Sequence, residues 1–279
     1  MYGHKDEGFR YQREPSRETK LLHYIYSRPN LDSIRGNPRA VLELMDRFAE
    51  EYNYHFMTVG TQKGPVVTDL IAKRKPSTMI ELGCYIGYSA ILFGDAVRRN
   101  GGSAYYSLEL NIEWAAIANM LVELAGLRDF VRILVGRSDV LLNQLFESGS
   151  VKQIELLFID HYKPAYTLDL KLCEQLGKIV PGVSVIAADN VIFPGNPPYL
   201  EYVRSSVEKK RKEAQENGPV KTYTFEGFEA RSVKNYMGDD NVPKFEILGD
   251  PNLVYESVLR QPEGCDDAIE VTHCVGVQE

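Results

Sequence analysis

Two aspartates in this chain each close a short apolar run. Ile154-Glu155-Leu156-Leu157-Phe158-Ile159 leads into Asp160, and Val183-Ser184-Val185-Ile186-Ala187-Ala188 leads into Asp189, with Asn190 next. Runs of this length and composition read as strands buried on both faces. Neighbouring parallel strands lie about 4.8 Å apart, so if these two pair, both carboxylates meet at the carboxyl edge of the sheet, where open α/β sheets bind ligands. Two carboxylates and an amide oxygen make a hard, all-oxygen set that suits Mg²⁺. Either aspartate alone is better read as a structural cap; Asp160 with Asp189 and Asn190 points to a metal. Lys163 follows Asp160 by three residues. Beside a dication and partly desolvated, its ammonium form is disfavoured, which is how a lysine becomes a general base. Taken alone, it is an exposed lysine at a helix start.

A second group of residues could hold a nucleoside. Met79 to Leu82 ends a buried strand, Gly83 and Gly87 bracket a tight turn, and the stretch from Ser89 to Val97 carries helical apolar spacing. Glycines let backbone N–H groups approach a ligand, and the helix N-terminus adds a positive field. The spacing is not the G-x-G-x-x-G of a dinucleotide fingerprint, because the first two glycines are four apart. Glu109 ends the next strand, where a carboxylate can accept both hydroxyls of a ribose. That identifies a nucleoside, not a reaction. His161 reads as packing or hydrogen bonding near it.

The elements that must position these groups follow from periodicity. Amphipathic helices are expected over 18–27 and 38–52, the second with Asn37-Pro38 as cap and first-turn proline. A third runs over 64–75, ended by Pro76. Strands over 103–109, 130–135, 154–160 and 183–189 alternate with helices over 111–126, 138–147 and from 161 to about 178, which argues a parallel sheet with right-handed crossovers. A polar helix over 198–217 precedes an irregular stretch, 218–252. Strand-like 253–259 and 268–275, joined through Pro262-Glu263-Gly264, suggest a closing hairpin. Residues 1–16 are polar and read as a disordered tail.

Composition narrows the partners. The 279 residues are 44% hydrophobic and 25% charged, ordinary for a globular protein, with net charge −7. That balance disfavours nucleic acid. The basic run 209–212 is flanked by Glu208 and Glu213 and reads as a solvated helix face. No apolar run reaches membrane-span length and the N-terminus is too polar for a signal peptide, so no membrane role is expected. Four cysteines without C-x-x-C pairing are simplest as reduced thiols in the cytoplasm; Cys265 and Cys274 are the one pair close enough to suggest a disulfide.

With these residues on the page, a resemblance can be stated. The E-x-G-x-x-x-G loop is similar to that of S-adenosylmethionine-dependent methyltransferases. From about Leu21 to Tyr202, then the terminal hairpin, the chain closely resembles the catechol O-methyltransferase family. It does so through His23-Tyr24-Ile25-Tyr26, Met57-Thr58-Val59-Gly60, Lys63-Gly64, Glu81 to Ser89, Glu109, Ala125-Gly126-Leu127, Asp160-His161-Tyr162-Lys163 and Asp189 to Gly195. The resemblance implies an α/β fold over 17–279: a single Rossmann-like domain with a mostly parallel twisted sheet, helices on both faces, a terminal antiparallel hairpin and an insertion within about 203–252. It implies Asp160, Asp189 and Asn190 as Mg²⁺ ligands, Lys163 as base and Glu256 as the partner of a second catechol hydroxyl. For S-adenosylmethionine it implies Val59, Gly83, Tyr85 and Ser89 at the methionine end, Met57 near the sulfonium methyl and Glu109 at the ribose. Ser138, Asp139, His161 and Tyr162 fall in the adenine region. His55, Phe193 and Pro194 fall at the substrate rim. Tyr162 stands where animal enzymes have Trp, Asp139 where they have Gln, and His55 replaces an aromatic wall; Phe193 is bulkier than the usual valine. The expected activity is Mg²⁺-dependent methyl transfer to a hydroxyl of a catechol-type small molecule. The alternatives are another phenolic acceptor or a catalytically silent nucleoside-binding protein. The glycine spacing opposes a dehydrogenase, and the acidic charge opposes a nucleic-acid methyltransferase. The oligomeric state is not legible.

Overall fold

The computed structural model describes residues 14–236 and 242–279. Helices α1 (Arg17–Tyr26), α2 (Leu31–Ile34), α3 (Pro38–Glu51) and α4 (Gly60–Arg74) come first. Strands β1 (Thr78–Leu82), β2 (Ala104–Glu109), β3 (Val131–Val135), β4 (Leu156–Ile159) and β5 (Val185–Ala188) then alternate with α5 (Tyr88–Arg99), α6 (Ile112–Leu124), α7 (Ser138–Glu147) and α8 (Tyr166–Gln175). Helices α9 (Pro197–Arg204), α10 (Val207–Asn217) and α11 (Ala230–Tyr236) follow, and β6 (Leu253–Arg260) and β7 (Ile269–Val277) close the chain.

The strands form one sheet in the order β3-β2-β1-β4-β5-β7-β6. Strands β1 to β5 are parallel; β7 runs antiparallel to β5 and β6. This is the doubly wound α/β sheet with a terminal hairpin that the alternation of elements implies. Two apolar layers cover it, one including Leu21, Phe48, Val67 and Ile91, the other including Leu142, Leu170, Tyr199 and Val203. Leu82 pairs with Ile159 and Ile159 with Ala188, so the loops opening at Gly83, Asp160 and Asp189 leave the sheet side by side. Among the described residues no helix is long and apolar enough to cross a membrane.

Several boundaries differ from expectation for local reasons. Helix α4 starts at Gly60 instead of residue 64 and carries Pro65 within it, which brings Lys63 inside a helix. The polar helix over 198–217 is two helices. Ser206 has extended backbone and its hydroxyl accepts the Lys209 N–H at 3.3 Å, so the chain stops and restarts there. The helix after Asp160 opens with a 3₁₀ turn at Lys163–Ala165, where Pro164 lacks an N–H, and ends at Gln175. The irregular stretch contains α11 and a bridge between Val220 and Ile247, while 237–241 lie outside the described residues. The four cysteines are free thiols, including Cys265 and Cys274. Of the expected disordered tail, 1–13 lie outside the described residues, and Ser16 caps α1 by accepting the Thr19 N–H.

Candidate active site

Strand register brings the chemistry-bearing groups to one edge. Lys163 Nζ donates to Asp160 Oδ1 at 3.0 Å, to Asn190 Oδ1 at 2.9 Å and to the Tyr166 hydroxyl. The Tyr166 hydroxyl in turn donates to the Asp189 carbonyl at 3.3 Å. Asp160, Lys163, Asp189 and Asn190 therefore form one cluster, from two loops thirty residues apart in sequence that adjacent strands deliver together.

Two further side chains join that cluster: Lys63, which the resemblance includes without a role, and Asp267, which was not singled out from sequence. Lys63 Nζ donates to Asp189 Oδ1 at 2.6 Å and to Asp267 Oδ2 at 2.5 Å. Asp267 also accepts Asn190 Nδ2 at 2.8 Å on Oδ2, and the Ile192 and Phe193 N–H groups at 3.2 and 2.9 Å on Oδ1. One signal was available. Val59, Lys63, Val67 and Ile71 share a four-residue spacing, so Lys63 sits on a buried helix face, where a lysine needs a partner. Asp267 had none: it lies 204 residues from Lys63.

Three carboxylates and two ammonium groups leave the cluster with an excess of negative charge. Burial, and then the charge of Asp160, push the Asp189 carboxyl well above its ordinary range, against the pull of Lys63 and Lys163. Burial acts to lower Lys63, but Asp189 and Asp267 outweigh it and leave it raised. Burial acts to raise Asp267, yet Lys63 and the Phe193 N–H hold it below the usual carboxylate value.

The residue set fits a hard cation. Asp160 Oδ1 and Asn190 Oδ1 already converge on a single positive centre, the Lys163 ammonium, and Asp189 adds a third oxygen-donor side chain from the same edge.

The glycine loop lies alongside. Gly83 has φ +86, and a Cβ there would collide with the Asp160 carbonyl oxygen and come within 2.9 Å of the His161 Cβ; only glycine lets the two loops cross this closely. Glu109 is buried and braces the loop, accepting the Cys84 and Tyr85 N–H groups at 3.2 and 2.9 Å and the Asn111 N–H at 2.8 Å. The Tyr85 hydroxyl reaches Glu18 of α1, and its ring meets the edge of Trp114 at 4.8 Å. Ser89 is buried in the first turn of α5, Val59 is buried just before α4, and Met57 is 58% exposed. His161 pairs through Nε2 with Asp169 at 2.7 Å and stacks on Tyr166; its buried Nδ1 has no hydrogen-bond partner among the described residues. A close-approach glycine and a buried, unsatisfied ring nitrogen beside it fit a polar ligand that packs on this loop.

Of the residues implied for the adenine region, Asp139 is buried and fully engaged. Arg137 donates to it at 3.1 and 3.2 Å, and the Val140 and Lys244 N–H groups at 2.9 and 2.8 Å. Ser138 opens α7 beside it. Tyr162 meets the Tyr223 ring edge-on at 5.3 Å, and Arg137 reaches the Tyr223 hydroxyl at 3.4 Å. The stretch 218–252 thus packs against the side chains implied for the adenine region.

Two expected residues are placed elsewhere. Glu256 pairs with His273, which pairs with Val185, the first residue of β5; that is the end of the strand opposite Asp189. The hairpin presents its loop, from Gln261 to Asp267, to the cluster instead, because β7 enters antiparallel to β5. His55 is exposed and lines a cavity of about 180 Å³ with Met45, Asp46, Tyr54 and Tyr88, none of which belongs to the oxygen cluster. Phe193, 56% exposed, does stand at the cluster, with Pro194 after it and the Arg231 guanidinium 5.6 Å from its ring centre.

A family model described as O-methyltransferase matches residues 33–213. The catechol O-methyltransferase of Bos taurus is 35% identical over 191 residues, 68% of this chain and 67% of its own. That of Mus musculus is 36% identical over 193 residues, 68% of this chain and 69% of its own. Among solved structures, an O-methyltransferase from Streptomyces achromogenes, in complex with S-adenosylmethionine, shares the fold with TM-score 0.55 at 17% identity, over 85% of this chain and 90% of its own. Sequence and fold agree: this chain belongs to the O-methyltransferase family, with catechol O-methyltransferases among its relatives.

Proposed function

We propose that this S-adenosylmethionine-dependent methyltransferase transfers a methyl group to a hydroxyl of a catechol-type small molecule, with Mg²⁺ held by Asp160, Asp189 and Asn190. The observation that carries the reading is the convergence of Asp160 Oδ1 and Asn190 Oδ1 on one cationic centre, beside Asp189 and next to the Gly83 loop. The names of the curated relatives agree with the acceptor class. When bound, Mg²⁺ would lower the acceptor hydroxyl pKa and S-adenosylmethionine would supply an electrophilic methyl.

The chain's own residues have three tasks. Gly83 and the loop braced by Glu109 receive the donor, and His161 Nδ1 offers it a polar contact. Lys163, beside both Asp160 and Asn190, is placed to take the hydroxyl proton on Nζ in its neutral form. Phe193 and Pro194 wall the acceptor, and holding donor and acceptor in near-attack geometry is the largest contribution open to a protein in such a transfer. The four free cysteines accord with a reducing, cytoplasmic setting.

The test is product formation from S-adenosylmethionine and a simple catechol, with calorimetric titration of donor, then Mg²⁺ with catechol. Methylated catechol that disappears on chelation and returns with Mg²⁺ is expected. Turnover undiminished by exhaustive chelation would overturn the metal reading. Mg²⁺-dependent methylation of a monophenol at the same rate would overturn the catechol reading alone.

A further inference from the structure

Asp267 stands just before β7, 77 residues on from Asn190, and reaches back into the oxygen cluster. We infer that Asp267 is a positioning residue that sets which way the Asn190 amide faces, so that its oxygen and not its nitrogen is turned to the metal. The inference rests on the metal reading proposed above.

The two ends of an asparagine amide are nearly alike in shape, and only their partners decide between them. A cation accepts the oxygen end alone. Asn190 Nδ2 donates at 2.8 Å to Asp267 Oδ2. A carboxylate only accepts, so the reversed amide would set oxygen against oxygen. On the other side, Asn190 Oδ1 lies 2.9 Å from the Lys163 ammonium, which only donates. Both neighbours select the same orientation. The backbone gives little room for escape: Asn190 is left-handed at φ 56, and its N–H is tied to Asp189 Oδ1 at 2.8 Å.

Asp267 is itself held from four directions. Lys63 Nζ and Asn190 Nδ2 share Oδ2, while the Ile192 and Phe193 N–H groups share Oδ1. Four donors on two oxygens of one buried carboxylate leave it a single orientation. The same carboxylate therefore aims the Asn190 amide, anchors Lys63 against Asp189 and fixes the start of the Phe193 loop. Partners behind a metal ligand orient it in this way and govern affinity without touching the ion.

Asp267→Asn puts a donor where only donors point. The probe is Mn²⁺, titrated without acceptor and followed by electron paramagnetic resonance, with ¹⁷O-water line broadening to count water ligands. Folding and the donor site are checked by S-adenosylhomocysteine binding. Mn²⁺ affinity is expected to fall about 10- to 100-fold, with one more water ligand and nucleoside affinity within about twofold. The exchanged pair Asn190→Asp with Asp267→Asn restores a donor facing an acceptor and keeps an oxygen toward the metal, so it should recover most of the loss. Wild-type protein that binds no Mn²⁺ would overturn the metal reading and this inference with it. Wild type that binds, with Asp267→Asn within about threefold and the same water count, would overturn the inference alone, as would an exchanged pair no better than the single variant. Should Asp267→Asn fail to bind S-adenosylhomocysteine, the exchanged pair decides by the same two readings against wild type.

Discussion

Asp189 is 1% exposed, and its charge is costly there unless cations face it. Lys63 supplies one at 2.6 Å; a dication would supply the other. Asp189→Ala should lower turnover by about a hundredfold or more while leaving S-adenosylmethionine affinity nearly intact, since Asp189 does not belong to the Gly83 loop. Steady-state rates and a donor titration check both halves. Glu81 is a different kind of buried acid. It lies fully inside the sheet, accepts the Ser107 hydroxyl at 2.6 Å, and burial lifts it to about 8. A raised carboxyl means that the folded state holds a proton the unfolded chain releases. Stability is then full below the ordinary value of 4.5 and falls as pH rises through about 8. Glu81→Gln should remove that slope, worth on the order of 3–5 kcal/mol between the two limits, and denaturant melts at pH 5 and pH 8.5 would show it. Residues were legible where the chain itself groups them: Asp160 with Lys163, Asp189 with Asn190, each at the end of an apolar run. Asp267 was not, because no local pattern reports a partner 204 residues away.

Elements were legible wherever period and caps agreed. Asn37-Pro38 and Asn111 open α3 and α6 as their side chains imply, accepting the Ala40 and Trp114 N–H groups. The break between α9 and α10 was missed because Ser205-Ser206 is too short a signal inside a polar run. The structure within 218–252 was not legible for another reason: its order comes from contacts with distant elements and not from its own periodicity. Buried Glu174 of α8 accepts the Tyr202 and Tyr255 hydroxyls, each at 2.6 Å, and the Asp250 N–H at 3.0 Å, tying α9, β6 and the end of the stretch 218–252 together. A few residues before Asp250, the Lys244 N–H is taken by Asp139. Asp139→Ala removes that acceptor from a partly buried N–H and from the Val140 N–H, a loss of about 1–3 kcal/mol. Cleavage by a protease within 218–247 should quicken, and donor affinity should fall by about tenfold if the segment packs the adenine region. Lys221→Ala, which breaks only an exposed pair with Glu246, should do neither.

Across the whole molecule, the parallel half of the sheet carries the Gly83 loop, the β4–β5 edge carries the oxygen cluster, and the stretch 218–252 touches both. Tyr223 meets Tyr162 on the side proposed for the donor, and Arg231 sits over Phe193 on the side proposed for the acceptor. Acceptor choice should therefore depend on an element outside the sheet. Arg231 lies over the Phe193 ring in a chain of net charge −7, so it offers an anionic substituent a local exception to an unfavourable field. Its side chain is 69% exposed and shares its charge with Glu229 at 3.2 Å, so the effect must be modest, about 1 kcal/mol. Arg231→Ala should lower kcat/KM for a carboxylated catechol by about three- to tenfold relative to an alkyl catechol, mostly through KM, with donor affinity unchanged. The preference should also shrink in wild type as salt rises, because an exposed charge pair is screened over about 8 Å at physiological ionic strength. If wild type and variant discriminate equally between the two acceptors, the polar rim lies elsewhere, and the cavity lined by His55 becomes the surface to vary next.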